Sequence, residues 1–304
     1  MSVAVVTDST AYLPARRVEY YGVRVIPLHV STEAEQYSDE TSFGPGRLTE
    51  ELRRGRRVTT SGAAVAEFAA AYRAALDRGA DGVLSIHLSG ELSGTVDAAR
   101  TAAREVAPSA INVVDSRSVA MGLGFAVLAA AELAAEGAGL EEVTGVAERV
   151  AERGTILFSV QTLEYLRRGG RIGTASALLG TALAIKPLLH LHDGVIDAAE
   201  KVRTTSAAVR RLEQLAVEAV AETAPTQRFP TGDPRGPALA VHHLAAPGRA
   251  ETLARNIRER LPGCSDCVVS EVGATIGAHI GPGSVGVVVL PGGWSTTGTP
   301  PFGD

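Results

Sequence analysis

Residues 83–100 read VLSIHLSGELSGTVDAAR, and the change of texture within them points to the architecture of the chain. An apolar run stops abruptly in hydroxyls and glycines and then turns into an alanine-rich pattern, which reads as a strand, a loop and the start of a helix. Ser89, Ser93 and Thr95 surround Gly90 and Gly94, so the loop has little side-chain bulk and several hydroxyl donors beside the free N–H groups of a helix's first turn. Such a place suits a carboxylate or a phosphate. It is equally the arrangement in which Ser93 or Thr95 does no more than cap the helix.

Working outward, the same grammar recurs. AVVTDST (4–10) is an apolar run ending in Thr7, Asp8, Ser9 and Thr10, and YLPARRVEYYG (12–22) reads as a short helix closed by Gly22. VRVIPLHVS (23–31) reads as a second strand. In VTTSGAAVAEFAAAYRAALDRG (58–79), Thr59, Thr60 and Ser61 stand ahead of helical apolar spacing, which puts hydroxyls at another helix entrance. INVVDSRSV (111–119) is a strand ending in Asp115, Ser116 and Ser118, followed by an apolar helix from Val119. Asp8 and Asp115 can also be read as makers of local turns or caps.

Short strands alternating with helices point to a mostly parallel sheet covered on both faces. In such sheets ligands bind beyond the carboxyl ends of the strands, where Thr7–Thr10, Ser89–Thr95 and Asp115–Ser118 all fall, so the hydroxyl loops are expected to converge. The expected class is α/β. A parallel N-terminal domain over 1–154 is followed by a C-terminal α/β domain with a mixed sheet over 155–293 and a flexible tail over 294–304.

The second half has a different texture. Leu163–Arg168 reads as a short helix ended by Gly169 and Gly170, leaving Arg171 on a loop. TASALLGTALAI (174–185) is apolar around most of a helical circumference, so it is read as buried or bordering a cavity. KPLLHLHDGVIDAAEKVR (186–203) is a hairpin turning at Asp193-Gly194, with Arg203 leaving it. Residues 224–237 are a loop by their prolines and glycines.

Composition narrows the function classes. With 45% apolar and 21% charged residues the chain is that of an ordinary globular protein, and a net charge of −5 without basic runs interleaved with aromatics sets nucleic acid aside. The start, MSVAVVTDST, has no basic region before a long apolar one, and the segment from Val119 is interrupted by Glu132 well short of the roughly 20 residues a membrane span needs. A cytoplasmic protein without a membrane segment is expected, transient contact with a membrane surface remaining open. Cys264 and Cys267 form a lone CSDC ahead of a strand, where a redox pair would open a helix.

GPGSVG (281–286) matches G-x-G-x-x-G by letter, but a strand follows it where a dinucleotide site needs a helix. No GxxxxGK[ST] loop occurs. Ser93 lies outside any G-x-S-x-G elbow. His190 with His192, and His242 with His243, lack a visible third metal ligand. No metal or cofactor is expected. His279, in GAHIGPG, sits among small residues that allow a close approach. There it reads either as an anion-orienting imidazole or as a packed loop histidine.

TDST (7–10), TTS (59–61), LSGELSGT (88–95), VVDS (113–116), LEYLRRGGRI (163–172), IKPLL with DG and KVR (185–203) and AHIGPGSVGV (278–287) together resemble the DegV family. These are the fatty-acid-binding proteins of bacterial fatty acid kinase systems. The resemblance runs in family order over nearly the whole chain. It implies a two-domain α/β protein that holds a long-chain fatty acid in a tunnel, with the carboxylate near the domain junction. Thr60, Ser93 and His279 are implied to hold the carboxylate, helped by Ser61, Gly94, Thr95 and neighbouring backbone. A separate kinase subunit is implied to supply ATP, with Arg171 and Arg203 facing that kinase or the transferred phosphate. The chain itself is then a carrier and not an enzyme. The helix from Val119 and TASALLGTALAI are candidate tunnel walls, or plain core. In the family the TS loop commonly continues with Gln-Pro, whereas Gly62 and Ala63 stand here. Alternatives are a hydrolase or acyltransferase using Ser93 and His279, and a lipid sensor without a kinase.

Overall fold

In the computed structural model the described residues are all but residue 34 and residues 39–41, 180–184, 224–235 and 297–304. Strand β1 (Val3–Asp8) runs into a 3-10 turn, Ser9–Ala11, and helix α1 (Ala15–Tyr21). Gly22, at φ +64°, closes α1 in the left-handed conformation that glycine adopts without strain. VRVIPLHVS does not form one strand. Pro27 has no N–H for a ladder, and β2 (Arg24–Ile26) and β3 (His29–Ser31) on either side of it join different sheets. Next come β4 (Gln36–Ser38), α2 (Pro45–Arg53) and β5 (Thr59–Ser61). The hydroxyls expected at a helix entrance therefore lie in a strand. Helix α3 (Val65–Asp77) starts after Ala64, whose N–H donates to the Glu67 carboxylate at 2.7 Å.

β6 (Gly82–His87), α4 (Thr95–Val106), β7 (Ile111–Asp115), α5 (Met121–Ala135) and α6 (Leu140–Arg153) follow. The later elements are β8 (Thr155–Ser159), α7 (Glu164–Gly169), a 3-10 turn over Gly173–Leu178, and the pair β9 (Lys186–His192) and β10 (Val195–Val202). After them come α8 (Thr205–Thr223), β11 (Ala238–His243), α9 (Pro247–Arg260), β12 (Asp266–Glu271), α10 (Ala274–Ile280) and β13 (Val285–Leu290).

These elements form two compact units, and neither is a continuous piece of chain. Unit 1 comprises Met1–His29, Ser61–Arg153 and the described residues from Trp294; unit 2 comprises Val30–Thr60 and Gly154–Gly293. This corrects the expected single cut at 154. Residues 30–60 belong with the later half because α2 packs on α10 so closely that a Cβ on Gly277 would lie 2.5 Å from Leu48 Cδ2. Trp294, expected to open a mobile tail, is 1% exposed, and the Arg17 guanidinium lies 5.5 Å from its ring centroid. Ser295 Oγ and Thr296 Oγ1 donate to the buried Glu132 carboxylate at 2.9 and 2.7 Å, and Thr296 N–H donates to it as well. The rest of the expected tail lies outside the described residues.

Unit 1 is built on a four-stranded sheet, β2-β1-β6-β7, parallel throughout. The chain goes from β1 outward to β2 on one side and from β6 outward to β7 on the other, so the order reverses between β1 and β6. Helix α5 is buried from Met121 to Glu132. Its small residues serve backbone packing at least at Gly124, where a Cβ would lie 2.7 Å from the Ala11 carbonyl oxygen.

Unit 2 contains a six-stranded mixed sheet, β10-β9-β8-β13-β11-β12, in which only β11–β12 is parallel. The β9–β10 hairpin turns at Asp193 (φ +48°) and Gly194 (φ +80°), the two left-handed residues a tight primed turn requires. Helices α8 and α9 bury Leu212, Leu253 and Ile257 against Leu239 and Val287 of the sheet. TASALLGTALAI does not show the expected long helix over its described part. Ala175 and Leu178 of the 3-10 turn are buried while Leu179 is exposed, and residues 180–184 lie outside the described residues.

Candidate functional site

In unit 1 the hydroxyl loops do converge, at the carboxyl ends of β1, β6 and β7 and at the point where strand order reverses. Asp8 accepts from Thr10 N–H at 3.0 Å and from Leu88 N–H at 3.0 Å, joining the loop after β1 to the loop after β6. Ser89 N–H donates to the Ser118 carbonyl at 2.9 Å, and Gly90 N–H to the Asp115 carboxylate at 3.2 Å, joining the loops after β6 and β7. Asp8 and Asp115 thus serve turns, as their alternative reading has it, and additionally bind loops to one another.

Gly94 is the N-cap of α4 and brings no side chain, so neither Ser93 nor Thr95 is the capping residue. Ser93 Oγ and Thr95 Oγ1 are 2.8 Å apart, and Thr95 N–H points at Ser93 Oγ at 3.4 Å. Two hydroxyls sharing one hydrogen bond use one proton between them and leave the other to donate elsewhere. Thr95 is fully buried, and Ser93 half-buried. The departure at Gly62 has a reason here, since a Cβ at that position would lie 2.9 Å from Thr95 Oγ1.

Thr60 and His279 belong to unit 2, whereas Ser61, Ser93, Gly94 and Thr95 belong to unit 1; the chain passes from one unit to the other between Thr60 and Ser61. His279 is on helix α10 and not on a loop. The glycines around it admit protein neighbours: Gly277 faces Leu48 and Leu244, and a Cβ on Gly281 would lie 2.2 Å from the Tyr165 ring. His279 Nε2 is 2.7 Å from Thr60 Oγ1. Its Nδ1 is buried with no hydrogen-bond partner among the described residues. Burial, reinforced by the Arg171 guanidinium, pushes His279 down to about 4, so the ring is neutral near pH 7.

A neutral imidazole has one N–H. In the tautomer with that proton on Nε2 the ring donates to Thr60 Oγ1, and Nδ1 keeps its lone pair. The Thr60 hydroxyl proton can then be given to an anion. Arg171 is half-buried and donates through Nη1 to the Gly169 carbonyl at 2.5 Å. Arg203 is exposed just past β10, and Ser61 is exposed at the end of β5.

Sequence reasoning missed Gly169, which reads only as a helix stop. A Cβ there would lie 2.0 Å from His279 Nδ1, so this glycine makes room for the ring. The Ser–His–acid arrangement of a hydrolase is not assembled around His279, because no carboxylate among the described residues takes its Nδ1. Among the described residues no group of three or more His, Cys, Asp or Glu side chains is placed to hold a metal, and no helix is long and apolar enough to cross a membrane.

Three comparisons bear on this geometry. A family model described as "Uncharacterised protein, DegV family" matches residues 2–292. A DegV domain-containing protein of Streptomyces coelicolor is 51% identical, covering 94% of this chain and 98% of its own length. Among solved structures, a DegV family protein from Thermus thermophilus described by its fatty acid binding is similar at 36% identity and a TM-score of 0.87, covering 96% of this chain and 100% of that one. DegV of Bacillus subtilis, described as a fatty acid binding protein, is similar at 32% identity and a TM-score of 0.83, covering 95% and 99%. With a family match over nearly all its residues and the same α/β fold as these relatives, the chain belongs to the DegV family.

Proposed function

We propose that this protein binds a long-chain fatty acid and presents its carboxylate to a separate ATP-dependent kinase subunit, which forms the acyl phosphate. The observation that carries the reading is the Thr60–His279 hydrogen bond beside a neutral ring, which with the ring proton on Nε2 leaves the Thr60 hydroxyl as a donor. The Ser93–Thr95 pair has a second spare hydroxyl proton at the start of α4, where Gly94 keeps the approach to backbone N–H groups open. Thr60, Ser61, Ser93, Gly94, Thr95 and His279 are the proposed carboxylate residues. A carboxylate out of water is costly unless hydrogen-bonded, and hydroxyls with a helix N-terminus supply donors without a permanent ion pair. The tail gains about 0.8 kcal/mol for each CH₂ it buries. Fatty acid binding by the relatives from Thermus thermophilus and Bacillus subtilis supports the ligand class.

Arg171 and Arg203 are proposed to face the kinase or the transferred phosphate. Denaturing extraction of gently purified protein, followed by mass spectrometry, is expected to release one fatty acid per chain. A ligand-free protein that also fails to take up added palmitate refutes the reading. With lipid bound, Arg171→Ala and Arg203→Ala are each expected to slow kinase-coupled acyl-phosphate formation, and unchanged rates in both remove the kinase half of the proposal.

A further inference from the structure

Behind the carboxylate loop lies a buried polar chain that the proposed function does not use. Tyr72, Ser85, His87, Asp8 and Thr10 are each 0% exposed. Tyr72 Oη donates to Ser85 Oγ at 2.8 Å, Ser85 Oγ is 2.7 Å from His87 Nε2, and His87 Nδ1 is 3.0 Å from Asp8 Oδ2. The connectivity is that of a hydrolytic triad, yet with every member fully buried and Tyr72 on the serine, no substrate has access to it. Its protons are nevertheless fixed. Asp8 also accepts from Thr10 N–H at 3.0 Å, Thr10 Oγ1 at 2.5 Å and Leu88 N–H at 3.0 Å, so it acts wholly as an acceptor and His87 Nδ1 must donate to it. The Ser85 hydroxyl, already accepting from Tyr72, gives its own proton to Nε2.

We infer that His87 is a positioning residue for the carboxylate loop and that it acts through its Nδ1 bond to Asp8, not through its Nε2 bond to Ser85. The two bonds lead to different places. From Asp8 the connections run to Leu88 N–H and on into the loop, where Leu92 and Ser93 N–H both donate to the Ser89 carbonyl and Ser93 meets Thr95. The His87 carbonyl accepts from Ser116 N–H at 3.1 Å and Ser116 Oγ at 2.7 Å, so this one residue ties together the loops after β1, β6 and β7. From Ser85 the connection ends at Tyr72 on α3, inside the core. A loop that must present hydroxyls within a few tenths of an ångström depends on the groups that lock it.

The inference rests on the proposed fatty acid site and is tested on the intact protein with palmitate. In His87→Asn the amide nitrogen takes the place of Nδ1 and keeps the Asp8 bond; in His87→Gln the amide oxygen takes the place of Nε2 and keeps accepting from Ser85. Both variants lose one buried bond, and both are expected to melt lower. Only H87Q is expected to weaken palmitate binding about tenfold or more, the scale of a lost hydrogen bond to a charged group, with H87N within about threefold of the parent. Ser85→Ala is expected to leave affinity unchanged. Equal weakening by H87N and H87Q, or weakening by S85A as large as that of H87Q, overturns the inference.

Should the parent protein take up no palmitate, the proposed function falls, and amide hydrogen exchange of residues 88–95 in the free protein still decides this point. Faster exchange in H87Q than in H87N supports the positioning role, and equal exchange refutes it. If the histidine variants do not fold, Thr10→Val loosens Asp8 from the other side and is expected to speed that exchange more than S85A does; the reverse order overturns the inference.

Discussion

Replacing Gly169 with alanine sets two local effects against each other. Gly169 is the last residue of α7, and in a helix alanine is favoured over glycine by about 0.5–1 kcal/mol. The new Cβ, however, would stand 2.0 Å from His279 Nδ1, 2.7 Å from Cε1 and 3.3 Å from Cγ. Carbon contacts settle near 3.5 Å, so the ring must retreat by about 1.5 Å. A shift of that size cannot preserve the geometry of the 2.7 Å contact between Nε2 and Thr60 Oγ1. Overpacking costs about 1–3 kcal/mol and the disrupted bond about 0.5–1.5 kcal/mol, so the clash outweighs the helix gain by roughly 0.5–4 kcal/mol. Urea unfolding should show that loss, and palmitate affinity should fall about tenfold or more with the Thr60 donor released. Gly170→Ala is the control. Gly170 sits at φ +71° with nothing within 4 Å of an added Cβ, so alanine there costs about 1 kcal/mol of left-handed strain and leaves His279 in place. A G169A protein as stable as its parent, with unchanged affinity, would refute the geometry assigned to His279.

Three further outcomes follow from the same contacts. Gly62→Ala brings a Cβ to 2.9 Å from Thr95 Oγ1 and should weaken palmitate binding severalfold by turning Thr95 from Ser93, with little change in melting temperature, as read by isothermal titration and thermal unfolding. His279 and His242 both titrate near 4 in the folded chain, through burial first, against 6.5 when unfolded. The unfolded chain therefore binds more protons between those values, and stability should fall as pH drops from 6.5 toward 4, by at most about 3 kcal/mol for each ring. Urea midpoints over that range measure it, and His279→Asn should flatten the slope. Glu132→Ala leaves the Ser295 and Thr296 donors without their buried carboxylate and should cost about 2–4 kcal/mol. Trp294 is the chain's 1 tryptophan, so its emission should shift red in that variant as the ring loses its cover.

What was legible in the sequence was local. The turn at Asp193-Gly194 follows from two residues that tolerate positive φ, and the parallel sheet of unit 1 follows from strands that stop in hydroxyls and hand over to helices. Pro27 carried enough information to split VRVIPLHVS, but apolar periodicity runs through it and hides the break. Thr59–Ser61 read as a helix entrance because nothing nearby reveals a strand whose partners lie elsewhere in the chain. The site was legible in its hydroxyls and His279 only with the family pattern beside them. His87 was invisible as a hub because its partner Asp8 is 79 positions away, and the partner that holds Ser295, Glu132, is 163 positions away. No spacing rule reaches that far.

The interleaving of the two units also bears on how the protein is made. Translation produces the parallel sheet of unit 1 early, yet Trp294 emerges only after the whole Gly154–Gly293 segment of unit 2. Until then the Glu132 carboxylate on nascent α5 has neither Ser295 nor Thr296, and the surface that Trp294 covers stays wet. The first-synthesised unit is thus closed last. A ribosome that stalls anywhere within unit 2 releases a chain whose earlier sheet is formed but unsealed, and such a product is a ready substrate for proteases and chaperones that read exposed apolar surface.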